Sequence, residues 1–404
     1  EACHESKERI SSEVRSFFVL IQMHDLKRSG NRDTKRGEKT VKIRYVIPLL
    51  LAGILIGCTQ TSEESSTKET NQKTQKNNQQ DSGNQEDTQS SQTKEGVVFK
   101  ELNAPWNIVR EGETFYITER EGTIVKGKQG DYERMRLQLK KDVIAEGESG
   151  LLGMVLDPDF KNNKTAYVYH TYAKQNQATN RVIAIKEEDH QWVEERVLID
   201  DIPGATIHNG GRLEWGPEGA LYVTAGDAAN PELAQDIDSL AGKILRITPE
   251  GKPFKGNQKG YVYSLGHRNP QGLVFVDDQL YASEHGQSGH DEINRIEQKN
   301  YGWPTIEGTE KAEGLVTPWY EVGERSVAPS GIAEADDTLY FATLVGQRLQ
   351  AINLKTKQVK TIVENQGRIR DVWIDETSIY YITNNTDGRG TPSTEDDRLV
   401  RIKR

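Results

Sequence analysis

Seven polar residues lie at or beside the start of strand-like segments, and their types could do chemistry if a fold brought them together. They are Glu148, His208, Arg268, Asn269, Gln271, Arg368 and Arg370. The imidazole of His208 can accept a proton from a hydroxyl group at neutral pH, although a strand-end histidine taken alone is more often a surface residue. Arg368 and Arg370 alternate along one segment, so they project to the same face as fixed cations. Taken alone, these residue types leave both a catalytic and a surface role open.

A second polar cluster is the segment EHGQSGHDE at residues 284–292. Its side chains of His285, His290 and Asp291 could together ligate a transition metal. We do not favour that interpretation, because a histidine in a flexible loop is usually only solvated.

A repeated strand motif indicates which elements position these residues. The motif occurs six times, as TFYIT (114–118), TAYVY (165–169), ALYVT (220–224), QLYAS (279–283), TLYFA (338–342) and SIYYIT (378–383). Its alternation and its β-branched content are typical of β-strands. An apolar strand-like segment stands on either side of each copy, so six similar units account for residues 104–402.

Repeats of this kind, about 40 to 60 residues apart, are typical of propeller blades. The sequence therefore predicts an all-β protein, a six-bladed β-propeller preceded by a lipoprotein signal and a disordered tether. A β-sandwich is the alternative, but six like units with short local hairpins favour radial repetition. The innermost strands of a propeller start around one mouth of its central channel, and we expect the seven polar residues to meet there.

Several longer segments carry a more specific signal. They are GLLGMVLDPDF (150–160), HNGGRLEWGPEGALYVTAGDA (208–228), AGKILRITPEG (241–251), YSLGHRNPQGLVF (263–275), SEHGQSGHDEINRIEQKNYGWP (283–304) and GRIRDVWI (367–374). From about Ala104 to the C-terminus, the chain resembles the soluble glucose and aldose dehydrogenases of the glucose/sorbosone type, which use pyrroloquinoline quinone (PQQ). The resemblance implies a six-bladed propeller with the quinone lying over the channel, in agreement with the repeats.

The resemblance also implies a role for most of the polar residues. His208 lies at the position of the catalytic base, and Asp227 lies at that of the carboxylate that orients the base. Arg268 matches the residue that contacts the reactive quinone carbonyl, where a guanidinium can stabilise developing negative charge. The other matches to residues that contact the cofactor are Asn269, Gln271, Arg368 and Arg370.

The segment 284–292 matches the calcium site of the family. There, backbone carbonyls at the positions of Gly286 and Gln287 bind a calcium ion that also contacts the cofactor, and hard oxygen donors suit calcium. Asp291 and Glu148 match positions near the cofactor or the sugar substrate.

One position departs from the family pattern. Where the family commonly carries a lysine or an arginine, in a segment such as SLKG, this chain reads TLVG and has Val345. Losing one charged hydrogen bond costs about 1.5 to 3 kcal/mol, which weakens binding about ten- to a hundredfold. Arg348 is near enough in sequence to compensate, but strand alternation would put it on the opposite face.

The function that the resemblance implies is PQQ- and calcium-dependent oxidation of an aldose at its anomeric hydroxyl to a lactone. His208 would be the general base, the hydride would pass to the quinone, and the electrons would leave to an external acceptor. Val345 supports an alternative, a non-catalytic lipid-anchored binding propeller with a degenerate cofactor site. A calcium-dependent lactonase is less favoured, because the channel lacks its cluster of acidic and amide ligands. The net charge of −10 argues against a nucleic-acid partner.

The N-terminal part of the chain has the pattern of a bacterial lipoprotein signal. A basic stretch from Arg32 to Arg44 precedes the apolar run 45–57, which is shorter than the roughly 20 residues of a membrane span, and LIGC at 55–58 resembles a lipobox. We therefore expect Cys58 to carry a lipid that holds the protein on the extracellular side of the bacterial cell membrane. The predicted domains are a leader (1–57), a disordered polar tether (58–96) and the propeller sugar dehydrogenase domain (97–404).

Overall fold

Six blades of four strands account for residues 96–404, the part of the chain that the computed structural model describes; four blades are separate sheets, and two are joined into one sheet of eight strands. The prediction of an all-β six-bladed propeller is confirmed. The predicted leader, the lipid-bearing Cys58 and the tether up to residue 95 lie outside the described residues. Within residues 96–404, no helix is long and apolar enough to cross a membrane.

The strands are numbered here from the N-terminus. Blade 1 holds β2 (Pro105–Glu111), β3 (Thr114–Glu119), β4 (Thr123–Lys128) and β5 (Asp131–Gln138), and blade 2 holds β6 (Leu151–Leu156), β7 (Thr165–Lys174), β8 (Gln177–Glu188) and β9 (Gln191–Pro203). Blade 3 holds β10 (Leu213–Trp215), β11 (Leu221–Ala225), β12 (Lys243–Ile247) and β13 (Val262–Leu265), and blade 4 holds β14 (Pro270–Val276), β15 (Gln279–Glu284), β16 (Glu292–Ile296) and β17 (Tyr320–Glu321). Blade 5 holds β18 (Pro329–Ala335), β19 (Thr338–Thr343), β20 (Arg348–Asn353) and β21 (Val359–Glu364), and blade 6 holds β22 (Ile369–Ile374), β23 (Ser378–Thr383), β24 (Leu399–Lys403) and β1 (Gly96–Phe99). A single helical turn, α1 (Phe160–Asn163), and a 3₁₀ turn (Pro231–Ala234) interrupt the connections.

The blades are arranged in a closed ring. The strands β2, β6, β10, β14, β18 and β22 contact one another in sequence and back to β2, which makes them the innermost strands. The N-terminal strand β1 closes the ring, because it pairs antiparallel with β24 at the outer edge of blade 6. Blades 1 and 2 are also joined at their outer edges by a parallel pairing of β5 with β9.

The core lies between the blades. Six clusters of buried apolar side chains each pack two neighbouring sheets together, so that every blade buries both of its faces. Near the axis the backbones converge and little room is left for side chains. A Cβ atom on Gly331 would lie 1.7 Å from the Asp371 carboxylate, and one on Gly272 would lie 2.4 Å from the Ser330 carbonyl oxygen. Glycine at these positions therefore allows the innermost strands to approach.

The repeat analysis identified the three inner strands of each blade but not the outermost one. Two of the outer strands show why. β17 has only two residues, and β21 has no buried residue. Outer strands of this kind are held mainly by backbone hydrogen bonds and bury few side chains. Their sequences therefore show little apolar pattern.

Removal of the closing strand β1 is expected to destabilise the domain. Phe99 in β1 is buried against Phe115 and Tyr132, with ring centroids 6.2 and 5.3 Å apart. Loss of one buried Phe side chain costs about 3 to 5 kcal/mol. We expect residues 96–404 to unfold at the same urea concentration as a longer chain with the tether, and residues 101–404 to unfold at a clearly lower one. Equal midpoints for the two truncated proteins would contradict the closure by β1.

Candidate functional site

His208 and Asp227 form a hydrogen-bonded pair at one mouth of the channel. Nδ1 of His208 lies 2.8 Å from Oδ1 of Asp227, whose side chain is fully buried. The other carboxylate oxygen of Asp227 accepts a hydrogen bond from Nε1 of Trp303 at 2.9 Å. A carboxylate at Nδ1 holds the ring in one orientation and leaves Nε2 as the proton-accepting atom. The pair therefore has the geometry of a general base with its orienting carboxylate.

The glycines of the HNGG and AGD motifs allow this arrangement. His208 has a left-handed backbone conformation (φ 58°), which is uncommon for residues other than glycine. A Cβ atom on Gly226 would lie 2.1 Å from the His208 carbonyl oxygen, and one on Gly210 would lie 2.8 Å from the Thr224 carbonyl oxygen. The segment that carries His208 therefore packs directly on the end of β11, next to Asp227.

Glu148 accepts hydrogen bonds from His208 and from residues of two other parts of the mouth. Its Oε2 accepts hydrogen bonds from the backbone N–H of His208 (2.9 Å) and from the side-chain amide of Asn269 (3.3 Å). Its Oε1 accepts one from Nη1 of Arg389 (2.8 Å). Burial alone would raise the pKa of Glu148, but the charge that His285 gains in acid, the charge of Arg389 and the hydrogen bonds outweigh it and lower the pKa to about 2. Glu148 is thus a carboxylate at any physiological pH.

The arginines of β22 lie in the same mouth. Nη1 of Arg370 donates to Oε1 of Gln271 (2.8 Å), and Nη2 of Arg370 donates to the side-chain oxygen of Asn384 (3.2 Å). Arg368 pairs with the buried carboxylate of Asp387 at 2.9 Å. Burial, followed by the charge of Arg368, lowers the pKa of Arg370 to about 9. A lowered pKa of this kind means that the surroundings do not fully compensate the positive charge of the guanidinium.

Several buried donors at this mouth have no hydrogen-bond partner within residues 96–404. They are the Nε–H groups of Arg268, Arg368 and Arg370; the buried Nε2 atom of His285, a donor or an acceptor according to the tautomer, has no partner either. Burial lowers the pKa of His285 to about 4, so its ring is neutral at pH 7. Unpaired buried donors are costly unless a ligand satisfies them. The mouth therefore has the donor set that a ligand with carboxylate and carbonyl oxygens requires.

The segment 284–292 forms a tight loop beside these donors. The carboxylate of Asp291 is fully buried and accepts hydrogen bonds from the backbone N–H of Gly286 (2.9 Å), Val327 (2.5 Å) and Ala328 (2.7 Å). Asp291 thus positions the loop, and its predicted contact with the substrate stays a prediction. Across the part of the chain that the structure describes, the carbonyl oxygens of Gly286 and Gln287 accept no hydrogen bond. These two oxygens remain available as ligands for a hard cation.

The histidines of the loop contact different partners. Nδ1 of His290 lies 2.7 Å from Glu321, whereas His285 faces the arginines of the mouth. Among the described residues, no group of three His, Cys, Asp or Glu side chains could hold a metal ion.

The sequence analysis assigned no role to several residues of the mouth. Trp303 lies in the GWP sequence at 302–304, to which no function was assigned. Asp387 and Arg389 lie in the loop between β23 and β24. Val345, at the position where a cation was expected, has 55% of its surface exposed. Nε of Arg348 lies 3.8 Å from Oε2 of Glu364 on the neighbouring strand, so Arg348 forms an exposed ion pair there.

The fold and this mouth define a class of protein, a six-bladed propeller with buried arginines beside a hydrogen-bonded histidine–aspartate pair. Residues 102–399 match the model of the glucose/sorbosone dehydrogenase family. The chain therefore belongs to that family, whose members are sugar oxidoreductases.

Individual relatives agree with this membership. The chain is 33% identical over 229 residues to quinoprotein glucose dehydrogenase B of Acinetobacter calcoaceticus, covering 47% of this chain and 48% of that protein. It is 29% identical to the aldose sugar dehydrogenase YliI of Escherichia coli, over 52% of this chain and 61% of that one. The structure of the PQQ-bound aldose sugar dehydrogenase from Streptomyces coelicolor superposes with a TM-score of 0.72 at 36% identity, covering 76% of this chain and 96% of that chain.

Proposed function

We propose that this protein is a PQQ- and calcium-dependent aldose dehydrogenase that oxidises the anomeric hydroxyl of a sugar to a lactone. The observation that carries the proposal is the His208–Asp227 pair beside a set of buried, unpartnered arginine and histidine donors. The family membership and the PQQ-bound relative support the choice of cofactor.

The residues of the mouth fit the cofactor. Arg368 and Arg370 would hold its carboxylates, and Asn269 and Gln271 would contribute polar contacts. Arg268, whose guanidinium lies 5.4 Å from the ring of Trp303, would stabilise negative charge on the quinone oxygen. The chemistry that PQQ supplies when bound is acceptance of a hydride. Calcium would use the carbonyl oxygens of the loop at Gly286 and Gln287.

His208 performs the proton transfer in this proposal. Its Nε2 accepts the proton of the anomeric hydroxyl while C1 of the sugar gives up a hydride, and the C1–O bond becomes the carbonyl of the lactone. Asp227 keeps Nδ1 protonated and stabilises the imidazolium that forms. The two electrons of the hydride would leave to an external acceptor, and two protons, the hydroxyl proton held by His208 and the one delivered with the hydride, would go to solvent.

Reconstitution tests the proposal. Apo protein mixed with calcium and PQQ should show the absorbance of the bound quinone, and aldoses should convert it to that of the reduced form. Stoichiometric binding without reduction by any aldose would favour the non-catalytic binding propeller. No binding at all would overturn the proposal.

Substitution of Val345 by lysine is expected to strengthen cofactor binding. Val345 is exposed at the position where the family pattern has a cation, and one charged hydrogen bond contributes about 1.5 to 3 kcal/mol. The PQQ concentration for half-activation of Val345→Lys should therefore fall about ten- to a hundredfold, as measured by titration of the apo enzyme. Val345→Met, which adds length without charge, is the control. An equal effect of both substitutions would refute the electrostatic explanation.

The attachment to the membrane is also a proposal. It rests on the basic stretch, the apolar run and the LIGC sequence that ends at Cys58. Mass spectrometry of the protein from its native cell envelope should find a lipid-modified Cys58 as the first residue. A mature chain that retains residues 1–57 would refute it.

A further inference from the structure

We propose that Arg120 is a further ligand-binding residue of this mouth, and that its guanidinium binds a carboxylate of the quinone cofactor. Neither the repeat pattern nor the family resemblance pointed to this residue. The inference rests on the proposed function, because it names a contact of the same cofactor.

The backbone of Arg120 is fixed in position where blade 1 meets blade 2. The residue directly follows β3, its N–H donates to the carbonyl oxygen of Ala104 (3.2 Å), and its own carbonyl accepts from the N–H of Leu151 (2.9 Å). Gly150 packs against it so closely that a Cβ atom there would lie 2.5 Å from the Arg120 carbonyl oxygen. The Cα atom from which the side chain extends is therefore held in a fixed position.

The side chain of Arg120 is buried but poorly satisfied. Only 8% of the residue is exposed, and within residues 96–404 its one side-chain hydrogen bond runs from Nε to the carbonyl oxygen of Ser149, at 3.2 Å. No carboxylate of the described residues forms an ion pair with it. Burial lowers the pKa of Arg120. A buried cation held by one neutral acceptor is unfavourable in the free protein, as expected of a group that serves a ligand.

The neighbours of Arg120 place it at the cofactor mouth. It interacts electrostatically with Asp387, Arg389, Glu148 and Glu121, and it contributes to the lowered pKa of Arg370. The nearby carboxylates are already engaged, since Asp387 pairs with Arg368 and Glu148 pairs with Arg389. Arg120 is therefore the arginine of this group whose terminal nitrogens are left for an external anion. Ser149, which accepts the hydrogen bond from Arg120, directly follows Glu148, so Arg120 lies beside the segment that contacts His208.

Arg120→Gln tests the assignment, with Arg401→Gln as a matched control. Arg401 is also 8% exposed and forms no ion pair with a described carboxylate, but it lies on β24, away from the channel, and bonds to Ser378. Equilibrium dialysis of the apo proteins with PQQ and calcium gives the dissociation constant without any turnover. We expect Arg120→Gln to raise it about ten- to a hundredfold, Arg120→Lys to raise it less, and Arg401→Gln to leave it within about twofold of the wild type.

The stability of the apo proteins provides a second measurement. Because Arg120 is buried and forms no ion pair with a described carboxylate, Arg120→Gln should unfold in urea at a concentration no lower than the wild type does. A lower midpoint with an unchanged dissociation constant would show a structural role and overturn the proposal. If the wild type binds no PQQ, both the proposed function and the ligand of Arg120 are wrong, whereas wild-type binding that Arg120→Gln leaves unchanged refutes only the role of Arg120.

Discussion

His208→Ala is expected to reduce the turnover of the reconstituted enzyme about a hundred- to ten-thousandfold, the usual contribution of a general base. PQQ binding should be nearly unchanged, because the cofactor contacts proposed here come from other residues. The side chain of His208 bonds to Asp227 and not to the residues proposed to hold the cofactor. Steady-state rates at saturating PQQ and calcium, combined with a separate titration of cofactor binding, distinguish the two effects.

A surface histidine provides the control for this substitution. The side chain of His190 is 83% exposed, and its one polar contact within residues 96–404 is Glu133, at 2.9 Å, so His190→Ala should leave both measurements unchanged. Full turnover by His208→Ala at saturating cofactor would show that another group is the base, whatever the family membership implies.

Arg370→Ala should instead weaken cofactor binding. Removing one partner of a buried charged pair costs about 2 to 5 kcal/mol, so the PQQ concentration for half-activation should rise about thirtyfold to several thousandfold. Saturating cofactor should restore much of the rate, because Arg370 is not proposed to transfer a proton or to contact the reacting sugar. Titration of activity against PQQ measures the first effect, and the plateau of that titration measures the second.

Arg212 is a suitable control for Arg370. Both residues are 4% exposed, and both lie near the axis of the channel. Arg212, however, bonds to the carbonyl oxygen of Gln271 (2.8 Å) and to the carboxylate of Asp371 (3.1 Å), beneath the mouth. Arg212→Ala should therefore lower the stability without shifting half-activation by PQQ. A similar shift in both variants would indicate general loosening of the channel rather than loss of a cofactor contact.

The sequence predicted the parts of the site that follow from repetition. Six similar strand units imply a ring, and a ring implies that residues at the starts of its innermost strands meet. This reasoning placed Glu148, His208 and Asn269 at one mouth, and the structure joins these three by hydrogen bonds. Their detailed roles depended on family resemblance, because a strand-end histidine has many possible uses.

The contacts that the sequence did not predict come from loops without a repeat pattern. Arg389 and Glu148 are 241 positions apart, and no periodicity relates the loop between β23 and β24 to the segment before β6. The hydrogen bonds of Asp291 were also not predicted. Its sequence motif predicts a position near the substrate. The structure shows in addition that its carboxylate accepts hydrogen bonds from the backbone N–H groups of Val327 and Ala328, which are distant in sequence.

The pairing of β1 with β24 also bears on how the chain acquires its fold. Gly96 is in register with Arg401, so the contact that completes blade 6 joins the two ends of the propeller. Blades 1 to 5 consist of neighbouring hairpins and can begin to form as the chain emerges, whereas the last blade must wait for the final strand. Until β24 is in place, the edges of β23 and β1 that pair with it are unpaired strand edges, which favour association with other chains. A ribosome-stalled or C-terminally cut chain that lacks β24 should therefore aggregate rather than remain as a soluble five-bladed intermediate.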